Sequence, residues 1–85
     1  MAEYSVTLSR TVRKQLDLLP EKDFESIIDT IGALVRQPRP PGCIKLKGRS
    51  GYRVRCGKYR IIYEIHDLVL VITVLAIGHR KDIYR

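Results

Sequence analysis

The ten residues from Leu68 to Ile77 carry no charge and show no polar face, so both sides of this segment ask for cover. Their Val and Ile content disfavours a helix. A helix that crosses a bilayer needs about 20 such residues, twice what is present. The segment therefore reads as a central strand. In a chain of 85 residues the cover for that strand must come from short elements close by.

Two helical patterns and several strand patterns supply it. Tyr4, Val6 and Leu8 alternate with Ser5 and Thr7, which predicts a short N-terminal strand. Ser9 is placed to cap a helix that runs to about Leu19, with Val12, Leu16 and Leu19 at helical spacing and Pro20 as its stop. A second helix opens at Glu21. Its apolar stripe is Phe24, Ile27, Ile28, Ile31, Leu34 and Val35. Glu21, Asp23 and Glu25 suit its positive N-terminal end, and Arg36 its C-terminal end. With almost no linker, the two helices should form an antiparallel hairpin.

Gln37 to Gly42, rich in proline, then stops helix and sheet alike. A short extended piece at Ile44 to Lys47 precedes three strands, at about 52–56, 58–66 and 68–77, joined by tight turns at Gly57 and Asp67. The expected fold class is α+β in one domain, residues 1–85. It has an N-terminal strand, a two-helix antiparallel hairpin and a three-stranded antiparallel meander, with the helices on one face of a four-stranded sheet.

Charge is concentrated. The chain has a net charge of +7. Residues 1–35 sum to −2, residues 36–63 to +9 and residues 64–85 to zero. The middle segment holds nine Lys or Arg and no Asp or Glu, a field that steers polyanions toward it. Cys43 and Cys56 lack metal-ligand spacing, and the basic segment offers no carboxylate to hold a metal, so no metal or other cofactor is expected. Two cysteines and no apolar leader point to a reduced, cytoplasmic protein without a membrane role.

Within the basic segment, Gly51 to Arg60 stands out. Arg53 and Arg55 are two apart and share one face of a strand, and a turn at Cys56–Lys58 returns Arg60 beside them. Guanidinium groups set so close repel one another unless a polyanion such as a phosphate backbone fills the gap. His79, Arg80 and Tyr84 follow the apolar strand. His79 is the natural proton carrier, and Tyr84 offers a ring for a nucleobase. Lys45, Lys47, Arg49 and Lys58 read as diffuse phosphate contacts, and Tyr52, Tyr59 and Tyr63 as sheet packing. Such a set suits cleavage of RNA by its own 2′-hydroxyl. The protein holds the phosphate in line, stabilises charge on its oxygens and moves two protons.

These residues resemble the RelE branch of the RelE/ParE toxin superfamily, the toxin halves of bacterial and archaeal toxin–antitoxin pairs. The likeness rests on Tyr4-Ser-Val, Lys45-Leu-Lys-Gly48, Gly51-Tyr-Arg-Val-Arg-Cys-Gly-Lys-Tyr-Arg-Ile-Ile-Tyr63 and Ile77-Gly-His-Arg-Lys-Asp-Ile-Tyr84. It implies a ribosome-dependent endoribonuclease of messenger RNA, inhibiting translation and neutralised by a cognate antitoxin, RelB-like or other. Operator DNA would be bound only by the toxin–antitoxin complex. It also implies Arg60 as the phosphate clamp, Arg80 at the leaving oxygen and Tyr84 as the residue that orients the nucleotide. Arg53 and Arg55 stand where the best-studied type of member has two lysines. An arginine scarcely releases its proton, so electrostatic catalysis without a dedicated strong base is expected. The competing readings are a ParE-like inhibitor of DNA gyrase without nuclease activity, and an inactive nucleic-acid-binding homologue.

Overall fold

The computed structural model describes residues 3–79. The roles expected of Arg80 and Tyr84 fall outside the described residues. The elements are β1 (Ser5–Leu8), α1 (Arg10–Asp17), α2 (Glu21–Arg36), β2 (Ile44–Lys45), β3 (Tyr52–Cys56), β4 (Tyr59–His66) and β5 (Val71–His79).

One sheet runs in the order β1-β5-β4-β3-β2. It has five strands rather than four, because the extended piece at Ile44 pairs antiparallel with β3, Ile44 against Arg53. The meander β3-β4-β5 is antiparallel, and β1 joins β5 in parallel. That parallel pairing is possible because the helical hairpin carries the chain back across the sheet.

Both helices lie on one face. Val12 and Leu16 of α1, and Ile27, Ile31 and Leu34 of α2, pack with Val54, Ile61, Tyr63, Ile72, Val74 and Ile77 of the sheet. Phe24 and Ile28, expected in the α2 stripe, are exposed instead. The buried stripe is the narrower set at positions 27, 31 and 34, since a sixteen-residue helix on a small sheet touches it along one line only. Helix α1 stops at Asp17, where the Leu18 N–H turns back to the carbonyls of Gln15 and Leu16.

The apolar run divides in two. Residues 67–70 form the β4–β5 turn, with Leu70 at φ 55° and Leu68 fully exposed. The strand therefore begins at Val71, not at Leu68. Within it, Ile62 pairs with Ala76 but Tyr63 with Val74, so Leu75 is an extra residue, a β-bulge. The bulge switches parity. Ile72, Val74 and Ile77 then share the buried face, which explains a run without alternation. Only the helix-facing side is fully covered; on the other, Val71, Thr73, Ala76 and Gly78 are half-buried.

Helix α1 serves the bulge. Ser9 Oγ accepts from the Val12 N–H at 3.1 Å, the expected cap, and donates to the Leu75 carbonyl at 3.0 Å. Gln15 Oε1 accepts from the Ile77 N–H at 2.8 Å. Side chains thus satisfy backbone groups that a regular ladder would otherwise pair.

Candidate functional site: an arginine cleft on the open sheet face

Strand alternation decides what each face presents. On β3, Tyr52, Val54 and Cys56 point toward the helices, so Arg53 and Arg55 point away. On β4, Tyr59, Ile61 and Tyr63 point toward the helices, so Arg60 points away. The hairpin turns in two residues, Gly57 and Lys58, with Gly57 at φ 59°. Glycine adopts that φ at no steric cost and lets the strands return in register.

The register sets Arg55 directly against Arg60, with Arg53 against Ile62 beside them. Like charges directly opposite one another on a sheet are destabilising. The neighbour of Arg60 on its other side is Gly78, which carries no side chain into the space above it. The three arginines, with Gly42 and Ile44, line a cleft of about 350 Å³. Arg53, Arg55 and Arg60 are therefore brought together as the hairpin geometry requires.

Arg60 is the unusual member. Only 5% of it is exposed, and it is the one charged residue in the buried set of the described residues. Its Nη1 donates to the Tyr59 carbonyl at 3.3 Å. Among the described residues no carboxylate pairs with Arg55 or Arg60. A buried charge without a counter-charge is costly unless an outside group completes it.

The other basic residues are dispersed around this centre. Arg39 is neutralised internally. Its guanidinium bonds Asp67 at 2.9 and 3.3 Å, and its Nε donates to the Tyr52 hydroxyl at 3.2 Å. The Tyr4 hydroxyl donates to the same carboxylate at 2.6 Å. Arg39 and then Tyr4 hold the Asp67 carboxyl below its usual range. Lys45 donates to the Arg49 carbonyl at 3.2 Å and lies over the Tyr52 ring. With Arg39, Tyr52 and His66 it borders a second cleft, of about 250 Å³. Lys47 and Arg49 are exposed in the loop before Gly51. Lys58 Nζ is 4.0 Å from Asp23.

His79 is not brought to the arginines. It pairs with Tyr59, and its ring meets the Tyr59 ring edge-on at 6.2 Å, on the helix-facing side. The strand persists through His79, and alternation turns its side chain from the face that holds Arg60. The tyrosines serve packing, as expected. Tyr63 is fully buried, stacks on Tyr52 and donates to the Pro38 carbonyl at 2.7 Å. Burial, with Cys43 nearby, pushes its phenol above the ordinary range. The Tyr59 hydroxyl donates to Asp23 of α2 at 2.8 Å. The sequence-based reading did not find Gly42 and Ile44 in the cleft wall, or the Asp23–Tyr59 bond. The proline-rich break before Gly42 and the position of Tyr59 beside Arg60 were the available signals.

This small basic chain has an α+β architecture, with helices on one face of its sheet and an arginine cleft on the other, and known proteins share the fold. The chain superposes on the archaeal RelE–RelB complex from Pyrococcus horikoshii with a TM-score of 0.83 at 30% identity, covering 93% of this chain and 97% of that one. It also superposes on the toxin–antitoxin complex RelBE2 from Mycobacterium tuberculosis, with a TM-score of 0.82 at 27% identity, covering 93% and 100%. Toxin RelG of Mycobacterium tuberculosis is 32% identical over 84 residues, 96% of this chain and 97% of the relative. The family described as ParE toxin of the type II toxin–antitoxin system, parDE, matches residues 6–84. The chain belongs to the RelE/ParE family of toxins of type II toxin–antitoxin systems.

Proposed function

We propose that this toxin is a ribosome-dependent endoribonuclease that cuts messenger RNA and is held inactive by a cognate antitoxin covering its basic face. The observation that carries the proposal is Arg60, buried without a carboxylate partner among the described residues and lining one cleft with Arg53 and Arg55. In the reaction the 2′-hydroxyl attacks the adjacent phosphorus. The bond from phosphorus to the 5′-oxygen breaks, leaving a 2′,3′-cyclic phosphate and a free 5′-hydroxyl. The attacking hydroxyl loses its proton, and the leaving oxygen gains one.

Arg60 forks onto the non-bridging oxygens, where charge builds in the transition state. Arg53 and Arg55 hold the scissile link in line from the neighbouring strand. Arg80 stabilises the leaving oxygen and Tyr84 orients the nucleotide, as the family likeness implies. With His79 turned to the other face, protons pass through solvent or substrate rather than through a fixed imidazole. Lys45, Lys47, Arg49 and Lys58 meet phosphates of the ribosome and message. The protein works in the cytoplasm and meets operator DNA only when bound to its antitoxin.

The test is induction of the chain without its antitoxin, followed by mapping of messenger RNA 5′ ends. Codon-phased cuts in translated messages are expected. Arg60→Ala and Arg60→Lys should each lower cutting by about 10²–10³-fold, since neither supplies a fork to the phosphate. Because the matched family is described by its ParE members, DNA gyrase supercoiling is assayed in parallel. Intact messages with inhibited supercoiling would replace the nuclease by a gyrase-directed toxin.

A further inference from the structure

Arg60 can clamp a phosphate only if its guanidinium is held still, and among the described residues it donates a hydrogen bond to the Tyr59 carbonyl, at 3.3 Å. The orientation of that carbonyl follows the backbone at Tyr59, the first residue after the two-residue turn. The ladder pairs Tyr59 with Cys56 and His79, but backbone beside a turn opens more readily than the middle of a sheet. Tyr59 is tied. Its hydroxyl reaches across to the first turn of α2 and donates to Asp23 Oδ2 at 2.8 Å. Its ring meets His79 edge-on. The Asp23 carboxylate holds the Tyr59 phenol above its ordinary range, as a strong acceptor does. Lys58 Nζ, 4.0 Å from the same oxygen and exposed to solvent, adds little.

We infer that the Asp23–Tyr59 hydrogen bond is a positioning device for Arg60: it pins the hairpin to α2, fixes the Tyr59 carbonyl and so aims the guanidinium into the cleft. Tyr59 is the positioning residue and Asp23 its anchor. Neither touches the substrate. The same bond sets the start of the ladder in which Arg55 faces Arg60, so it governs the spacing of that pair too. The inference rests on the nuclease reading for its catalytic consequence and on geometry alone for its structural one.

Tyr59→Phe keeps the ring and removes only the bond. On programmed ribosomes it should lower kcat by about ten- to a hundredfold while KM stays within about twofold, the signature of a misplaced clamp rather than of lost binding. Asp23→Ala should match it. Asp23→Asn, which retains an acceptor oxygen, should recover most of the rate. Glu21→Gln removes a charge from the same helical turn without touching Tyr59, and should leave both constants unchanged. A second measurement is independent of activity. Nitrogen NMR of the Arg60 guanidinium should show restricted rotation in the unsubstituted protein and averaged signals in Tyr59→Phe. Unchanged guanidinium spectra in Tyr59→Phe would overturn the positioning role, as would an unchanged kcat in that variant beside an inactive Arg60→Ala. If the unsubstituted toxin leaves messages intact, the nuclease reading fails and the spectra alone decide the positioning claim; if Arg60→Ala cuts like the unsubstituted toxin, Arg60 is not the clamp and the catalytic consequence falls with it.

Discussion

Arg39 and Arg60 come from the same acid-free segment and meet opposite fates. Arg39 finds Asp67, brought in from the β4–β5 turn, and with Tyr4 and Tyr52 forms a clamp at one end of the sheet. Among the described residues, Arg60 lies nearly buried and finds a backbone carbonyl rather than a carboxylate. The first arrangement ties a turn to the sheet, whereas the second sets a guanidinium in the cleft with no such carboxylate among the described residues. The clamp has a consequence in acid. The Asp67 carboxyl is depressed in the folded state below its unfolded value near 3.8. Its contribution is complete above that value and is lost as pH falls through the lower, folded one. Denaturant midpoints measured from about pH 6 down to about pH 2 should fall more for the unsubstituted protein than for Asp67→Asn. At neutral pH Asp67→Asn should be the less stable of the two. Parallel curves for the two proteins would remove Asp67 from the acid response.

Helix α1 and strand β5 depend on each other through the bulge at Leu75. The extra residue interrupts the ladder, and the helix answers with Ser9 on the Leu75 carbonyl and Gln15 on the Ile77 N–H. Gln15→Leu should cost about 1–3 kcal/mol, the penalty for leaving a part-buried N–H without its acceptor. For a domain of this size, each 1 kcal/mol corresponds to a fall of about 4–8 °C in Tm. Ser9→Ala removes both the cap and the bond to the bulge. It should cost about 0.5–2 kcal/mol for the cap alone, and more because the Leu75 carbonyl is left without its donor. Calorimetry of the two single variants and the double variant checks whether the sites act through one element. Their effects should fall short of additive, because each change loosens the same junction of helix and strand.

Across the whole molecule, the helices cover one face of the sheet and the arginine cleft opens on the other. The packed core and the arginine cleft are thereby separated on opposite faces of the sheet. No helix among the described residues is long and apolar enough to cross a membrane. The surplus charge should appear as salt dependence. Binding to a single-stranded RNA oligonucleotide, followed by anisotropy over a range of KCl, should weaken linearly on a log–log plot. Arg55→Gln should reduce the slope by about 0.7, the value for one phosphate contact on a single strand. An unchanged slope would place Arg55 away from the backbone of the RNA.

Much of this was legible in the linear chain. Local rules act within a few residues. Ser9 before an apolar repeat, Pro20 between two helices, and Gly57 between alternating strands each state their own structure, and the Arg53, Arg55 and Arg60 spacing followed from a period of two and a short turn. Non-local pairing was hidden. Nothing local says that Ile44–Lys45 adds a fifth strand, that β1 runs parallel to β5, or that Leu75 is an extra residue, because each depends on which strand lies alongside. Leu68 and Phe24 read as core by hydrophobicity, yet burial is a property of neighbours rather than of side chains. The chemistry of the cleft is thus written in residue types and their spacing. The counter-charge that Arg39 keeps was assigned by folding, since Asp67 reaches it from the β4–β5 turn, and Asp23 likewise reaches Tyr59 only from helix α2.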